Sequence, residues 1–320
     1  MIAAGLPAGY ALRRPAATDL DAVHGVVAAD EIAACGRAFT TRDDVAADWR
    51  LPRFESERDA WVVAAPGGDL VGYAWIWDPQ PNVLIDGSFN VHPDEYLSDL
   101  EEYLLGLIEE RAAELARQAP PDTRPSLAVW CEQREQRRVE LFARHGFAQA
   151  REFCNMEVAL DASLPEPRWP EGIVVRTFVR GRDDAGVHAS IEDAFAEHFR
   201  SARESLDDWR ERVFGFPGLD LDLWFVAWDG EQIAGTVLAV EEDDRGRIPE
   251  LAVGVQWRHR GLGMALLLQA FRALRDRGWT TAGLGVDAAN TTGATRLYER
   301  AGLHATHRFS VFTKDLPARA

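Results

Sequence analysis

Val253–Phe271 reads VGVQWRHRGLGMALLLQAF. An apolar, strand-like end runs into Arg258, His259, Arg260, Gly261, Leu262 and Gly263. Leu266, Leu267, Ala270, Phe271 and Leu274 then recur at helical spacing, and Gly278 closes the run. Glycines at such a turn let the backbone approach a ligand closely and adopt dihedrals that other residues avoid. The unpaired N–H groups of the helix start face an anion with help from the helix dipole, and Arg258 or Arg260 adds charge-assisted hydrogen bonds. A strand, turn and helix of this composition suit phosphate.

Two other readings use the same residues. One is a surface turn whose arginines solvate a helix start. The other is a dinucleotide fold, with Gly261 and Gly263 before the helix and Asp287 at the end of the next strand as a ribose ligand. Against it, Leu266 stands where that motif's third glycine belongs, and Gln256 to Arg260 separate the strand from the first glycine.

The rest of the chain sets the context for this turn. Its 320 residues carry a formal charge of -17, which disfavours nucleic acid or an anionic membrane as partner and favours a cationic or amine-bearing substrate. Hydrophobic content of 47% beside 27% charged residues is that of an ordinary globular protein, and the length implies two domains. Cys35, Cys131 and Cys154 are widely spaced with no CxxC, so neither a disulfide frame nor a metal site is expected. The start has no signal-peptide pattern and no apolar run is long enough to span a bilayer, so a cytoplasmic protein is expected.

The chain also repeats itself. WVVAAPGGDLVGYAWIW (Trp61–Trp77) lies over WFVAWDGEQIAGTVLAV (Trp224–Val240), each a β-hairpin pattern. LAVWCEQREQRRVELFARHGF (Leu127–Phe147) lies over GLGVDAANTTGATRLYERAGL (Gly283–Leu303), each a strand, a polar turn, a helix and a closing glycine. The proline- and acid-rich Asp161–Gly172 reads as a linker. These patterns predict a duplicated α/β domain with a mixed sheet flanked by helices: 1–160, a linker at 161–172, and 173–320.

Arg258-x-x-Gly261-x-Gly263 resembles the acyl-CoA pyrophosphate loop of the GNAT superfamily of N-acetyltransferases. The family's second signature follows in Asn290, Ala294, Leu297, Tyr298 and Gly302, with Leu303 where phenylalanine is usual. The resemblance covers 173–314 well and the first half more weakly. It implies two tandem GNAT-like acyl-CoA N-acyltransferase domains, a layout similar to mycothiol synthases, with acetyl-CoA as cosubstrate, no metal, and a small amine as acceptor. It implies that Leu251 and Val253 offer backbone to the cofactor arm, that Arg258 to Gly263 hold the pyrophosphate, and that Asn290 and Ala294 line the arm. On spacing alone Tyr298 is a core aromatic; the resemblance makes it the general acid that protonates the departing thiolate. The family often places a glutamate on the strand before the loop, and Glu250 is the nearest carboxylate. It lies three residues before Val253 and so on the opposite face, while the position six before is Arg247, which cannot be a base. A water chain, Glu197 or His198 are the alternatives for the base. A non-catalytic acyl-CoA-binding module remains the rival function.

The first copy departs from the signature. With Val91 placed on Val253, Tyr96 falls at Arg258, Asp99 at Gly261 and Glu101 at Gly263, while Phe142 replaces Tyr298 and Arg134 replaces Asn290. Carboxylates occupy the places where phosphate would sit, so the first domain is expected to bind no acyl-CoA.

Overall fold

The computed structural model describes residues 5–96, 99–196, 198–201, 203–242, 245–289 and 293–317. Asn290 and Glu197 therefore lie outside the described residues. Two compact units emerge, one of Met1–Arg151 with Phe309–Ala320, the other Glu152–Arg308.

The first unit begins with β1 (Ala11–Arg13), α1 (Leu20–Cys35), α2 (Arg42–Asp48) and α3 (Ser56–Asp59). The hairpin β2 (Ala60–Ala64) and β3 (Leu70–Gln80) leads to β4 (Leu84–Val91), α4 (Leu100–Ala116), β5 (Ser126–Glu132), α5 (Gln136–Arg144) and β6 (Ala148–Ala159). The second repeats the order with β7 (Ile173–Thr177), α6 (Asp184–Phe195), α7 (Leu206–Phe214), the hairpin β8 (Leu219–Asp229) and β9 (Gln232–Glu241), and β10 (Gly246–Val253). It continues with α8 (Leu262–Asp276), β11 (Thr281–Asp287), α9 (Ala294–Arg300) and β12 (His304–Asp315). The mixed α/β architecture expected from the repeat is present in both units.

The strand pairing corrects the expected boundaries. In the first unit the sheet runs β1-β2-β3-β4-β5 and ends on β12, which pairs antiparallel with β5 from Phe309↔Glu132 to Asp315↔Ser126. In the second the order is β7-β8-β9-β10-β11 and then β6, paired with β11 from Phe153↔Asp287 to Ala159↔Thr281. Each unit's last strand comes from the other half of the sequence. The expected linker is likewise part of the second unit: Leu164 is buried, Trp169 packs on the same core, and Arg272 of α8 donates to the Leu164 carbonyl. Proline and acid content pointed to a linker, but these two apolar side chains anchor the segment.

Alternation along β8 to β10 sorts the second unit's core onto two faces. Leu223, Phe225, Val237, Leu251 and Val253 meet α8, which buries Leu262, Leu266, Leu267, Ala270, Phe271 and Leu274. Trp224, Val226, Leu238 and Ala252 meet Val187 and Ile191 of α6 and Trp209 and Val213 of α7, with Phe178 stacked on Trp224 at 3.9 Å. Among the described residues no helix is long and apolar enough to cross a membrane.

Candidate functional site

β10 and β11 run parallel but pair only at Gly246↔Ala282 and Arg247↔Gly283. A bulge between Arg247 and Glu250 bends β10 at that point, while its pairing with β9 resumes and holds through Val253↔Gly235. β11 stays paired with β6 to its end. The two strands thus part beyond Arg247↔Gly283 while each is anchored on its far side, leaving a gap between 248–253 and 284–286. A gap between two strand edges is a ready place for an extended ligand to add its own backbone-like hydrogen bonds.

The glycine turn lies at the end of β10. Gly261, with φ +88°, occupies the left-handed region as N-cap of α8, and the first turn of helical bonding is Ala265 N–H to the Gly261 carbonyl. The N–H groups of Leu262, Gly263 and Met264 therefore have no partner within the helix. Leu262 contributes backbone alone, since its side chain is buried in the core. His259 is also left-handed at φ +61°, a region that histidine enters more readily than most non-glycine residues. A Cβ at Gly263 would lie 3.2 Å from the end of the Leu297 side chain on α9 and 3.6 Å from Val253, so a larger side chain here must displace Leu297. The turn thus presents three consecutive backbone N–H groups at the start of α8.

Arg258 is placed differently from expectation. Its guanidinium turns back under the loop, Nε to the Val253 carbonyl at 3.2 Å and a terminal nitrogen to the Ala194 carbonyl at 3.1 Å. It braces the turn against β10 and the end of α6. Arg260 is exposed and has no ion pair among the described residues. Trp257, missed in the sequence, fills the space beneath the loop: its ring lies where a Gly254 Cβ would intrude at 2.7 Å, and its Nε1 donates to Asp229.

Tyr298 and Ala294 on α9 are half-buried and pack on the core shared by β10, β11 and α8. Burial alone pushes the Tyr298 phenol up to about 12. α9 closes with Gly302 at φ +93°, whose N–H donates to the Glu299 carbonyl while Leu303 N–H reaches the Tyr298 carbonyl.

Glu250 is buried on the α6/α7 face, as its parity required. Arg212 of α7 donates to one of its oxygens at 3.3 and 3.4 Å; the other oxygen is buried with no hydrogen-bond partner. Burial raises its pKa, and Arg212 pulls the other way. Arg212 has no signal in the sequence, being one arginine of many. His198 follows the end of α6, with its ring 4.4 Å from Phe195. Burial holds its pKa below the usual histidine value, with Asp287 opposing and Arg258 assisting.

The first unit treats the equivalent place otherwise. Asp99, at the Gly261 position, has φ −76°, not a left-handed turn. Glu101, at the Gly263 position, binds Arg137 at 2.8 Å and Arg138 at 2.9 Å. Arg138 falls at the Ala294 position; its guanidinium is buried, lies 4.9 Å over the Phe89 ring, and donates to Asp30 at 2.7 Å. Tyr96 donates to Asp30 at 2.6 Å. Phe142, in place of Tyr298, is fully buried against Phe147 and Phe312. Where the second unit is glycine and alanine, the first is a buried ion-pair network.

The sequence signature of the acetyltransferase (GNAT) family matches residues 188–303. A mycothiol acetyltransferase of Thermomonospora curvata is 31% identical over 85% of this chain and 89% of its own length. One from Streptomyces coelicolor is 34% identical over 77% of this chain and 76% of its own. Among solved structures, a GCN5-related N-acetyltransferase from Sphaerobacter thermophilus superposes with a TM-score of 0.84 at 30% identity, covering 98% of each chain. A tandem GNAT protein from the clavulanic acid biosynthesis pathway shares the fold, with a TM-score of 0.73 at 16% identity over 96% of this chain and 98% of that one.

Proposed function

Because the chain belongs to the GNAT family of N-acetyltransferases, which use acetyl-CoA, we propose that it acetylates the primary amine of a small-molecule acceptor in its second unit. The likeness to mycothiol acetyltransferases supports a small acceptor that carries both an amine and a thiol. The observation that carries the reading is the parting of β10 from β11 with the Gly261–Gly263 turn at its mouth. The backbone N–H groups of Leu262, Gly263 and Met264 would hold the pyrophosphate, and the backbone edge of Leu251–Val253, its last carbonyl already bonded to Arg258, would hold the cofactor arm. The first unit, its equivalent place filled by Glu101 and Arg138, supports the second without binding acyl-CoA. Three free thiols accord with a cytoplasmic setting.

Glu250 takes a proton from the acceptor's ammonium. The freed nitrogen lone pair forms the C–N bond at the thioester carbonyl, the C–S bond breaks with its electron pair on sulfur, and Tyr298 donates its hydroxyl proton there. The nitrogen's second proton leaves to water, which reprotonates Tyr298 and takes the proton from Glu250. A phenol pushed up to about 12 stays protonated through neutral pH, as a donor must.

Screening amines and aminothiols for CoA release tests the activity; acetyl-CoA binding without release from any of them would favour a binding module. With a substrate in hand, Tyr298→Phe is expected to lower turnover roughly 100- to 10,000-fold with little change in acetyl-CoA affinity. Turnover should fall as pH drops through the Glu250 value, which burial places above the ordinary glutamate range, because the base must be ionised. Glu250→Gln should remove that acid limb. A retained limb that His198→Ala abolishes would move the base to His198.

A further inference from the structure

One guanidinium serves two carboxylates beside the strand gap. Arg212 reaches Glu204, in the connection before α7, with Nε at 3.1 and 3.2 Å and a terminal nitrogen at 2.9 Å. Toward Glu250 on β10 its contacts are longer, 3.3 and 3.4 Å, and fall on one oxygen only. The second Glu250 oxygen is buried and unpartnered. Glu204 is itself fixed from α6: His188 Nε2 lies 3.0 Å from its carbonyl and so donates, and its N–H meets Glu192 at 3.4 Å. The groups facing Glu250 are thus Arg212 from α7, Glu204 from the connection and His188 from α6. Arg247, on its own strand, is paired with Glu242.

An ion pair kept for stability satisfies its lone pairs, because a buried carboxylate oxygen without a donor costs as much as a lost charged hydrogen bond. Here the short bonds go to the half-buried partner, and the fully buried carboxylate is left half-satisfied. That is an unfavourable arrangement for folding and a useful one for a proton acceptor, which needs one oxygen held and one open. We infer that Arg212 is a positioning residue for Glu250, shared with Glu204 so that one Glu250 oxygen is held and the other is left without a donor, able to take up a proton. This rests on the reading of Glu250 as base. It adds that two groups outside the reaction, Arg212 and Glu204, set the orientation and basicity of that carboxylate in opposite directions.

The carboxylate can be read directly, without an acceptor. Full-length protein labelled with glutamate carrying carbon-13 in its side-chain carboxyl is titrated by NMR, and Glu250→Gln identifies the Glu250 signal by its disappearance. Arg212→Met is expected to raise the Glu250 midpoint by about one pH unit or more, since an opposite charge within about 4–6 Å is lost. Glu204→Gln is expected to lower it, because a like charge is removed and Arg212 is released toward Glu250. Arg212→Lys should restore the midpoint toward the parent. Midpoints that stay put, or that move the same way in Arg212→Met and Glu204→Gln, overturn the inference. If Arg212→Met does not fold, Glu204→Gln decides alone, and an unmoved or raised midpoint counts against sharing. Full turnover by Glu250→Gln in the amine screen would instead overturn the base reading, a separate outcome from any of these midpoints.

Discussion

Gly263→Glu is expected to abolish acetyl-CoA binding. The position has room for little: even a Cβ would press on Leu297 at 3.2 Å. The new carboxylate would enter the turn proposed to hold the pyrophosphate, and like charges about 4 Å apart at an effective dielectric of about 20 repel by about 4 kcal/mol. That is about three orders of magnitude in affinity. The first unit carries a glutamate at the equivalent place, Glu101, and there the turn has no left-handed residue at Asp99 and Arg138 is the counter-ion. Calorimetry on the full chain is the check: one acetyl-CoA per chain for the parent and none for the variant. A stoichiometry of two would show that the first unit binds as well. Undiminished binding by the variant would place the site away from this turn.

Removing Phe309–Ala320 should unfold the first unit and leave the second unit's sheet its full set of strands. The segment supplies the whole of the antiparallel ladder on one edge of β5, whose other edge pairs with β4 only from Leu84↔Ser126 to Asp86↔Ala128. It also supplies Phe312, buried 5.3 Å from Phe142, and Lys314, whose ammonium meets Glu109 at 2.5 Å and the His145 carbonyl at 2.8 Å. Without it β5 becomes a bare edge with Leu127 and Val129 exposed on its face, a template for aggregation. Phe312→Ala alone should cost about 3–5 kcal/mol. Urea unfolding followed by circular dichroism reads both, and a truncated chain that melts like the parent would make the strand dispensable.

Much of this architecture was legible in the sequence because it is locally encoded. The hairpins at Trp61–Trp77 and Trp224–Val240, the helix of Leu262–Asp276 and the closing glycines Gly146 and Gly302 each carry their own periodicity or turn chemistry. The glycine turn was legible for the same reason. Strand exchange was not. β6 and β12 are equivalents in the repeat, and an alternating pattern states which face of a strand is buried without stating which sheet it joins. The Arg212–Glu250 contact joins residues on α7 and β10 with no spacing rule between them, and Arg258 offers the same side chain to a phosphate or to a carbonyl. Burial decides such cases, and only the folded chain supplies it.

The exchanged strands also bear on descent. A duplicated domain whose copies each held all their own strands could shed one copy once its chemistry was lost. Here the first copy contributes Phe153–Ala159 to the second unit's sheet and takes Phe309–Asp315 in return. Deletion of either half of the gene would strip a strand from what remained. The first copy carries Asp99, Glu101 and Phe142 where the second carries Gly261, Gly263 and Tyr298, yet it is not free to disappear. No single cut in the gene can separate the two units without breaking a sheet.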